Sequence, residues 1–369
     1  MAGKAGSTMA KQVAAACLRL PPLPSTSDLV KLYNLRAVKQ LSQNFLMDHK
    51  LSSKIVRKSG RIRDCHVCEV GPGPGGITRS ILEQGAARVT VVEKDPRFLP
   101  VLELLRDASH GKLHIELGDA LTYNMEKLFP PDLALPWEDR PPRIHLIGNL
   151  PFNVATPLII RWLRDISLRR NAWVNGRVRM TLTFQEEVVE RMVAPTGHAQ
   201  RCRLSIMCQN WCQATHKFTI PGRAFVPKPD VDVAIAHFVP RVEPQIPLEF
   251  WLVEKVVRCV FSFRQKYCKR GAGLLFPEDQ RDEQIKKMFA VADVNPALRP
   301  FQLTMSEFNR LCHAYAAILE QQPSLAKFNM CPPPPGLNGG QRCSTVYQFL
   351  IKFHRKIQLL YILHSTVYI

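Results

Sequence analysis

Glu69-Val70-Gly71-Pro72-Gly73-Pro74-Gly75-Gly76 is the stretch on which the reading of the fold turns. It follows a short apolar run, Val67 to Val70, that reads as a strand, and it precedes a helical pattern opening near Ile77. Gly71, Gly73 and Gly76 complete a Gly-x-Gly-x-x-Gly spelling. Without Cβ atoms, such a turn lets backbone N–H groups and a helix N-terminus close on a nucleotide-like ligand. Strand, glycine turn and helix in that order begin a crossover unit, so further parallel strands are expected. Arg88 to Glu93, Leu113 to Leu117, Ile144 to Ile147 and Val178 to Phe184 alternate with helix-like segments, and Lys217 to Ile220 with Val231 to Phe238 read as an antiparallel closing pair. The expectation is an α/β, doubly wound, Rossmann-like domain over residues 41–240.

The chain has 369 residues, enough for two domains and tails. Its 46% hydrophobic and 22% charged residues read as globular, and the net charge of +19 points to a polyanionic partner. The 11 cysteines are an odd count and suit a reducing compartment better than a disulfide framework. Cys65-His66-Val67-Cys68 has metal or redox spacing, but it lies in a strand pattern without a second ligand pair, so structural cysteines and no metal are expected. The longest charge-free run, Ile144 to Ile160, is 17 residues with two prolines, short of a membrane span. Residues 1–27 carry Lys4, Lys11 and Arg19 with no acid, as a mitochondrial targeting segment does, an ordinary basic terminus being the competing reading, and an N-terminal arm is expected to run to residue 40. After Pro240, the spacing of Leu252, Val253, Val256, Val257, Val260 and Phe261 predicts one apolar helix face, opening a smaller C-terminal helical domain over 241–330. Residues 331–369 form an atypical Pro-rich, then apolar, tail.

The candidate chemistry falls at strand ends, where a doubly wound sheet places its ligand crevice. Gly71 and Gly73 are the loop's candidate cofactor contacts. Glu93 follows Gly71 by 22 residues and stands where a carboxylate accepts both ribose hydroxyl protons. That combination suits either a nicotinamide dinucleotide or S-adenosylmethionine. Two further strand ends favour methyl transfer: Gly118-Asp119, placed to accept an adenine amino group, and Asn149-Leu150-Pro151-Phe152. An exocyclic amine is a poor nucleophile because its lone pair is conjugated with the ring. The Asn149 side-chain carbonyl and the Leu150 backbone carbonyl suit its two hydrogens, Pro151 fixes the turn, and Phe152 suits stacking on the base.

These segments resemble the rRNA adenine N6-dimethyltransferase family, and within it the mitochondrial members, over about residues 30–330. Leu41-Ser42-Gln43-Asn44-Phe45-Leu46 is similar to the family's opening motif, and Phe225-Val226-Pro227-Lys228-Pro229-Asp230-Val231 to a segment beside its target-base pocket. The resemblance implies cofactor contacts at Asn44, Leu46, Gly71, Glu93, Lys94, Asp119 and Asn149. It also implies S-adenosyl-L-methionine as cofactor and, as substrate, two adjacent adenosines in the 3′-terminal hairpin of mitochondrial small-subunit rRNA. A monomer in the mitochondrial matrix, supporting assembly of the small subunit, is the expected setting. Two departures stand out: Arg264-Gln265-Lys266 is less basic than the family's usual triplet, and the tail from Cys331 lacks its charged end.

For RNA, Lys54, Arg57 and Lys58 belong to one acid-poor basic run with Arg61 and Arg63. Arg161 and Arg164 lead a second run after the catalytic turn, continued by Arg169, Arg170, Arg177 and Arg179. Arg264 and Lys266 are candidates in the helical part, where Phe261, Phe263 and Tyr267 read as core at helical spacing. The competing reading of each run is a solvated face. The alternative function is a non-enzymatic nucleic-acid binder in mitochondrial transcription or ribosome assembly, and a nicotinamide oxidoreductase is the third.

Overall fold

The computed structural model describes residues 20–35 and 43–330. Residues 1–19 of the expected targeting segment, Leu41 and Ser42 of the opening motif, and the whole 331–369 tail lie outside the described residues.

Nine strands are described: β1 (Phe45–Leu46), β2 (His66–Val70), β3 (Arg88–Glu93), β4 (Leu113–Leu117), β5 (Ile144–Gly148), β6 (Arg179–Gln185), β7 (Cys212–Ile220), β8 (Phe225–Val226) and β9 (Val233–Pro240). Seven form one sheet in the order β4-β3-β2-β5-β6-β9-β7. The first five are mutually parallel, while β9 runs antiparallel between β6 and β7. This is a Rossmann-like α/β sheet with the antiparallel closing pair the sequence led us to expect. Its inner strands are apolar almost throughout because helices cover the sheet: Val89, Val91, Leu146 and Ile147 are fully buried.

β2 has β3 on one side and β5 on the other, and the chain leaves β2 towards β3. The strand order therefore reverses between β2 and β5. The loops after β2, β3, β4 and β5 consequently open on one crevice at the carboxyl ends of the strands.

Two strand starts differ by more than one residue from the sequence reading. β7 starts at Cys212 rather than Lys217; as an edge strand with a register shift between His216 and Phe218, its alternation is blurred. β9 starts at Val233 rather than Val231, because the Asp232 carboxylate accepts a hydrogen bond from the Gly222 N–H (2.9 Å) and holds the connection before the strand. β1 and β8 pair antiparallel in a separate two-stranded ribbon, Phe45 opposite Val226 and Leu46 opposite Phe225. The arm contributes a helix, Thr26–Leu32, capped by Ser25, with Leu29 buried in the core.

The helices Phe250–Phe261, Cys268–Ala272, Arg281–Ala292 and Met305–Gln321 follow. The first buries Leu252, Val253, Val256, Val257 and Val260 as expected, and Phe261 stacks on Phe308 at 5.7 Å. That helix stops at Phe261, so the reading of Phe261, Phe263 and Tyr267 as one helical core stripe is corrected: Tyr267 is exposed. No helix among the described residues is long and apolar enough to cross a membrane. Cys65 and Cys68 are both buried, and burial pushes both thiols up, as structural cysteines require.

Candidate active site

The glycine loop is shaped to meet the turn after β5. Gly71 has φ +66°, and a Cβ there would stand 2.9 Å from Leu150 Cδ2, so a larger residue would be strained in this conformation and would have to displace the Leu150 side chain. Gly75, at φ +79°, caps the helix Gly76–Glu83, and a Cβ there would come within 2.4 Å of Leu105 Cδ1.

The Glu93 carboxylate, at the end of β3, accepts three backbone N–H bonds: from Gly73 at 3.0 Å, and from Lys94 and Asp95 at 2.8 Å each. Burial raises its pKa, and these three donors oppose the rise. After β4, Asp119 takes the Leu121 N–H at 2.9 Å and pairs with Lys94 Nζ at 2.8 Å. Burial pulls its pKa upward, but the Lys94 bond, the Leu121 N–H and the charges of Lys94 and Arg161 hold it below the usual carboxylate value.

After β5, the Asn149 side chain is held at both ends. Its Nδ2 donates to the Asn44 carbonyl at 3.2 Å, and its Oδ1 accepts from the Thr183 hydroxyl at 2.8 Å. Because Asn44 O only accepts, the amide nitrogen must face it, which assigns the amide orientation.

These groups line one cavity of about 590 Å³, within the roughly 300–1,000 Å³ usual for small-molecule sites. Asn44, Leu46, Gly71, Gly73, Glu93, Lys94, Asp119, Asn149, Leu150 and Pro151 all border it. Phe152 does not: it starts the helix Phe152–Ser167, and its half-buried ring packs on the core. The sequence reading missed Gln43, Asp95 and Arg97, which also border the cavity. Asp95 caps the turn Pro96–Phe98, accepts from Arg97 and Gln43, and has its pKa lowered chiefly by Arg97. An Asp-Pro pair just after a strand was the signal available for it. Glu69 also faces the cavity, buried, with the Thr78 hydroxyl donating to it at 2.6 Å. Among the described residues no cluster suits a metal ion.

None of the RNA candidates borders this cavity. Arg57 and Lys58 are exposed on the helix His49–Lys58, while Lys54 Nζ sits 4.2 Å over the Phe218 ring. Arg161 and Arg164 are half-buried on Phe152–Ser167, and burial lowers the Arg164 pKa. Of the residues following them, Arg170 pairs with buried Asp165 at 2.6 Å, and Arg177 donates to the carbonyls of Trp137, Asp139 and Pro240. Arg264 donates to the carbonyls of Arg201 (3.1 Å) and Ala199, with its guanidinium beside the Phe301 ring, whereas Lys266 is exposed.

The chain's residues 34–312 match the family model described as "Ribosomal RNA adenine dimethylase". The chain belongs to that family. It is thereby an S-adenosylmethionine-dependent rRNA adenine dimethyltransferase, and the nicotinamide reading falls away. Dimethyladenosine transferase 1, mitochondrial, of Xenopus tropicalis is 56% identical over 321 residues, covering 87% of this chain and 93% of that one. The Homo sapiens protein of the same name is 56% identical over 311 residues, covering 84% and 90%. Among solved structures, a dimethyladenosine transferase from Plasmodium falciparum shares the fold with a TM-score of 0.58 at 20% identity, covering 74% of this chain and 98% of that one. The cavity fits the family's cofactor: a glycine cradle closes against Leu150, one carboxylate follows β3 and a second follows β4.

Proposed function

We propose that this dimethylase modifies N6 of two adjacent adenosines in the 3′-terminal hairpin of mitochondrial small-subunit rRNA, acting as a monomer in the matrix in support of small-subunit assembly. The observation that carries the reading is the convergence of the loops after β2, β3, β4 and β5 on one cavity holding Glu93, Asp119 and Asn149. The mitochondrial setting is supported by the names of the relatives and by the basic, acid-free start of the sequence.

When bound, S-adenosylmethionine supplies a methyl group on a positively charged sulfur. The chain's own residues bind and orient. Glu93 accepts from ribose hydroxyls while its backbone bonds hold it in place, and Asp119 accepts from the cofactor's adenine amino group. Gly71 and Gly73 let the loop close, with Asn44, Leu46 and Lys94 forming further wall. The Asn149 Oδ1 and the Leu150 carbonyl hold the two hydrogens of the target amine, directing its nitrogen lone pair away from the ring. Most of the acceleration comes from this positioning: the methyl moves in line from sulfur to nitrogen, the sulfur–carbon bond breaking as the nitrogen–carbon bond forms, and the methylated nitrogen then loses one proton to water, so neither metal nor strong base is needed. The Phe152 ring is packed on the core and only half-buried, and its exposed part meets the target base beside the cofactor cavity.

Residues 41–240 act as the methyltransferase domain, with the helices of 241–330 as the RNA-binding part. Arg57, Lys58, Arg161, Arg164 and Lys266 meet phosphates, and Lys54 and Arg264 serve more as packing groups, given their contacts. The test is transfer of labelled methyl groups from S-adenosylmethionine to a small-subunit rRNA hairpin carrying two adjacent adenosines. N6,N6-Dimethyladenosine is the expected product. Absence of incorporation by folded, cofactor-binding protein rejects the reading.

A further inference from the structure

Asn149 is the group that must present a carbonyl, and not an NH2, to the target amine. A primary amide is nearly symmetrical in shape, so something has to decide which end faces which way. The Asn44 carbonyl takes the NH2 end, but Asn44 precedes a two-residue strand paired only with β8. The other end is held from the main sheet. Thr183 lies within β6, its residue is buried, and its hydroxyl donates to Asn149 Oδ1 at 2.8 Å. The parallel register of β5 and β6, with Gly148 opposite Leu182, brings the two side chains together across 34 residues of sequence.

We propose that Thr183 is a positioning residue of the methyl-transfer site: the Asn44 carbonyl sets which way the Asn149 amide faces, and the Thr183 hydroxyl holds its carbonyl end in place for the amine. Of the amide's two acceptor positions and two N–H groups, Thr183 occupies one acceptor and Asn44 one N–H. One lone pair and one N–H remain for the ligand. The free lone pair is the one that meets the target amine. A valine has the same shape as threonine without the hydroxyl, so Thr183→Val leaves the packing and removes the hold on the carbonyl end of the amide, with the Asn44 bond still in place.

The inference rests on the proposed methylation of the rRNA hairpin, and the experiment separates the two. Wild type, Thr183→Val, Thr183→Ser and Asn149→Ala are compared in single-turnover methylation of the hairpin, with S-adenosylmethionine affinity and Tm measured on each. Thr183→Val is expected to lose about tenfold or more in rate, the worth of one oriented hydrogen bond, with cofactor affinity and RNA KM unchanged. Thr183→Ser restores the hydroxyl and is expected to restore the rate. If valine impairs folding, Thr183→Ala against Thr183→Ser provides a second pair differing by the hydroxyl alone. A purely structural threonine would lower Tm and leave the rate of the folded protein untouched. Wild-type rate in folded Thr183→Val, beside a crippled Asn149→Ala, overturns the role of Thr183 while the functional reading stands. No methylation by folded, cofactor-binding wild type overturns the reading, and this inference with it.

Discussion

Asn149→Ala strikes the reaction and the scaffold together, and the structure allows the two losses to be told apart. Truncation removes the acceptor of the Thr183 hydroxyl and the donor to the Asn44 carbonyl. Thr183 is buried, so its orphaned hydroxyl costs about 1–3 kcal/mol of stability. That corresponds to roughly 2–4 °C in Tm per kcal/mol for a domain of this size. The catalytic loss is separate. The Asn149 carbonyl is worth most as positive charge develops on the amine nitrogen, so by comparison with other preorganised polar groups turnover should fall about 10² or more. Freed from its amide anchor, the Asn44 segment also borders the cofactor cavity, so S-adenosylmethionine affinity should weaken modestly. The assay is single-turnover methyl transfer at saturating cofactor, well below the melting temperature, with calorimetric titration of S-adenosylmethionine on the same preparation. An Asn149→Ala protein that dimethylates the hairpin at near wild-type single-turnover rate would refute the assignment, whatever its Tm.

Glu93→Ala removes a charged acceptor that holds Gly73, Lys94 and Asp95 and faces the cavity, so cofactor affinity should drop by about 1.5–3 kcal/mol for each charged hydrogen bond removed; unchanged affinity in a titration removes Glu93 from the site. Burial pushes the Glu69 carboxyl up to about 8 from 4.5, so the folded chain keeps a proton that the unfolded chain releases, and stability should fall as pH rises from about 4.5 to about 8, by at most about 1.4 kcal/mol per pH unit. Thermal melts of Glu69→Gln should show that slope flattened relative to wild type, and an identical slope sinks the assignment. Replacing exposed Arg57 and Lys58 by alanine should weaken RNA binding across sequences and flatten its logarithmic salt dependence by about 0.7–0.9 for each phosphate no longer neutralised, with cofactor affinity intact; an unchanged salt slope returns both to a solvated face.

What the sequence discloses here follows from how each feature is built. β2, β3, β5 and β6 were readable to within a residue or so because a covered parallel sheet demands unbroken apolar runs. Glu93, Asp119 and Asn149 were readable because parallel strands bring their carboxyl ends to one side, so polar residues just past those ends share a crevice. β7 was half-readable, because an edge strand with a shifted register need not alternate. The pairing of β1 with β8 involves two residues from each segment and leaves no periodicity to detect.

The deeper gap concerns partners. Thr183 in Thr181-Leu182-Thr183-Phe184 reads as an ordinary strand former, and its contact with Asn149 exists only through the register between β5 and β6. The arginines show the same limit from the other side: side-chain type announces a phosphate ligand, while tertiary contacts decide whether that capacity is already engaged. Arg264 and Arg177 are engaged by backbone carbonyls and Arg170 by buried Asp165, whereas Arg57, Lys58 and Lys266 stand exposed. A basic run in sequence therefore marks where an RNA surface can be, and the internal hydrogen bonds select which members of the run can form it.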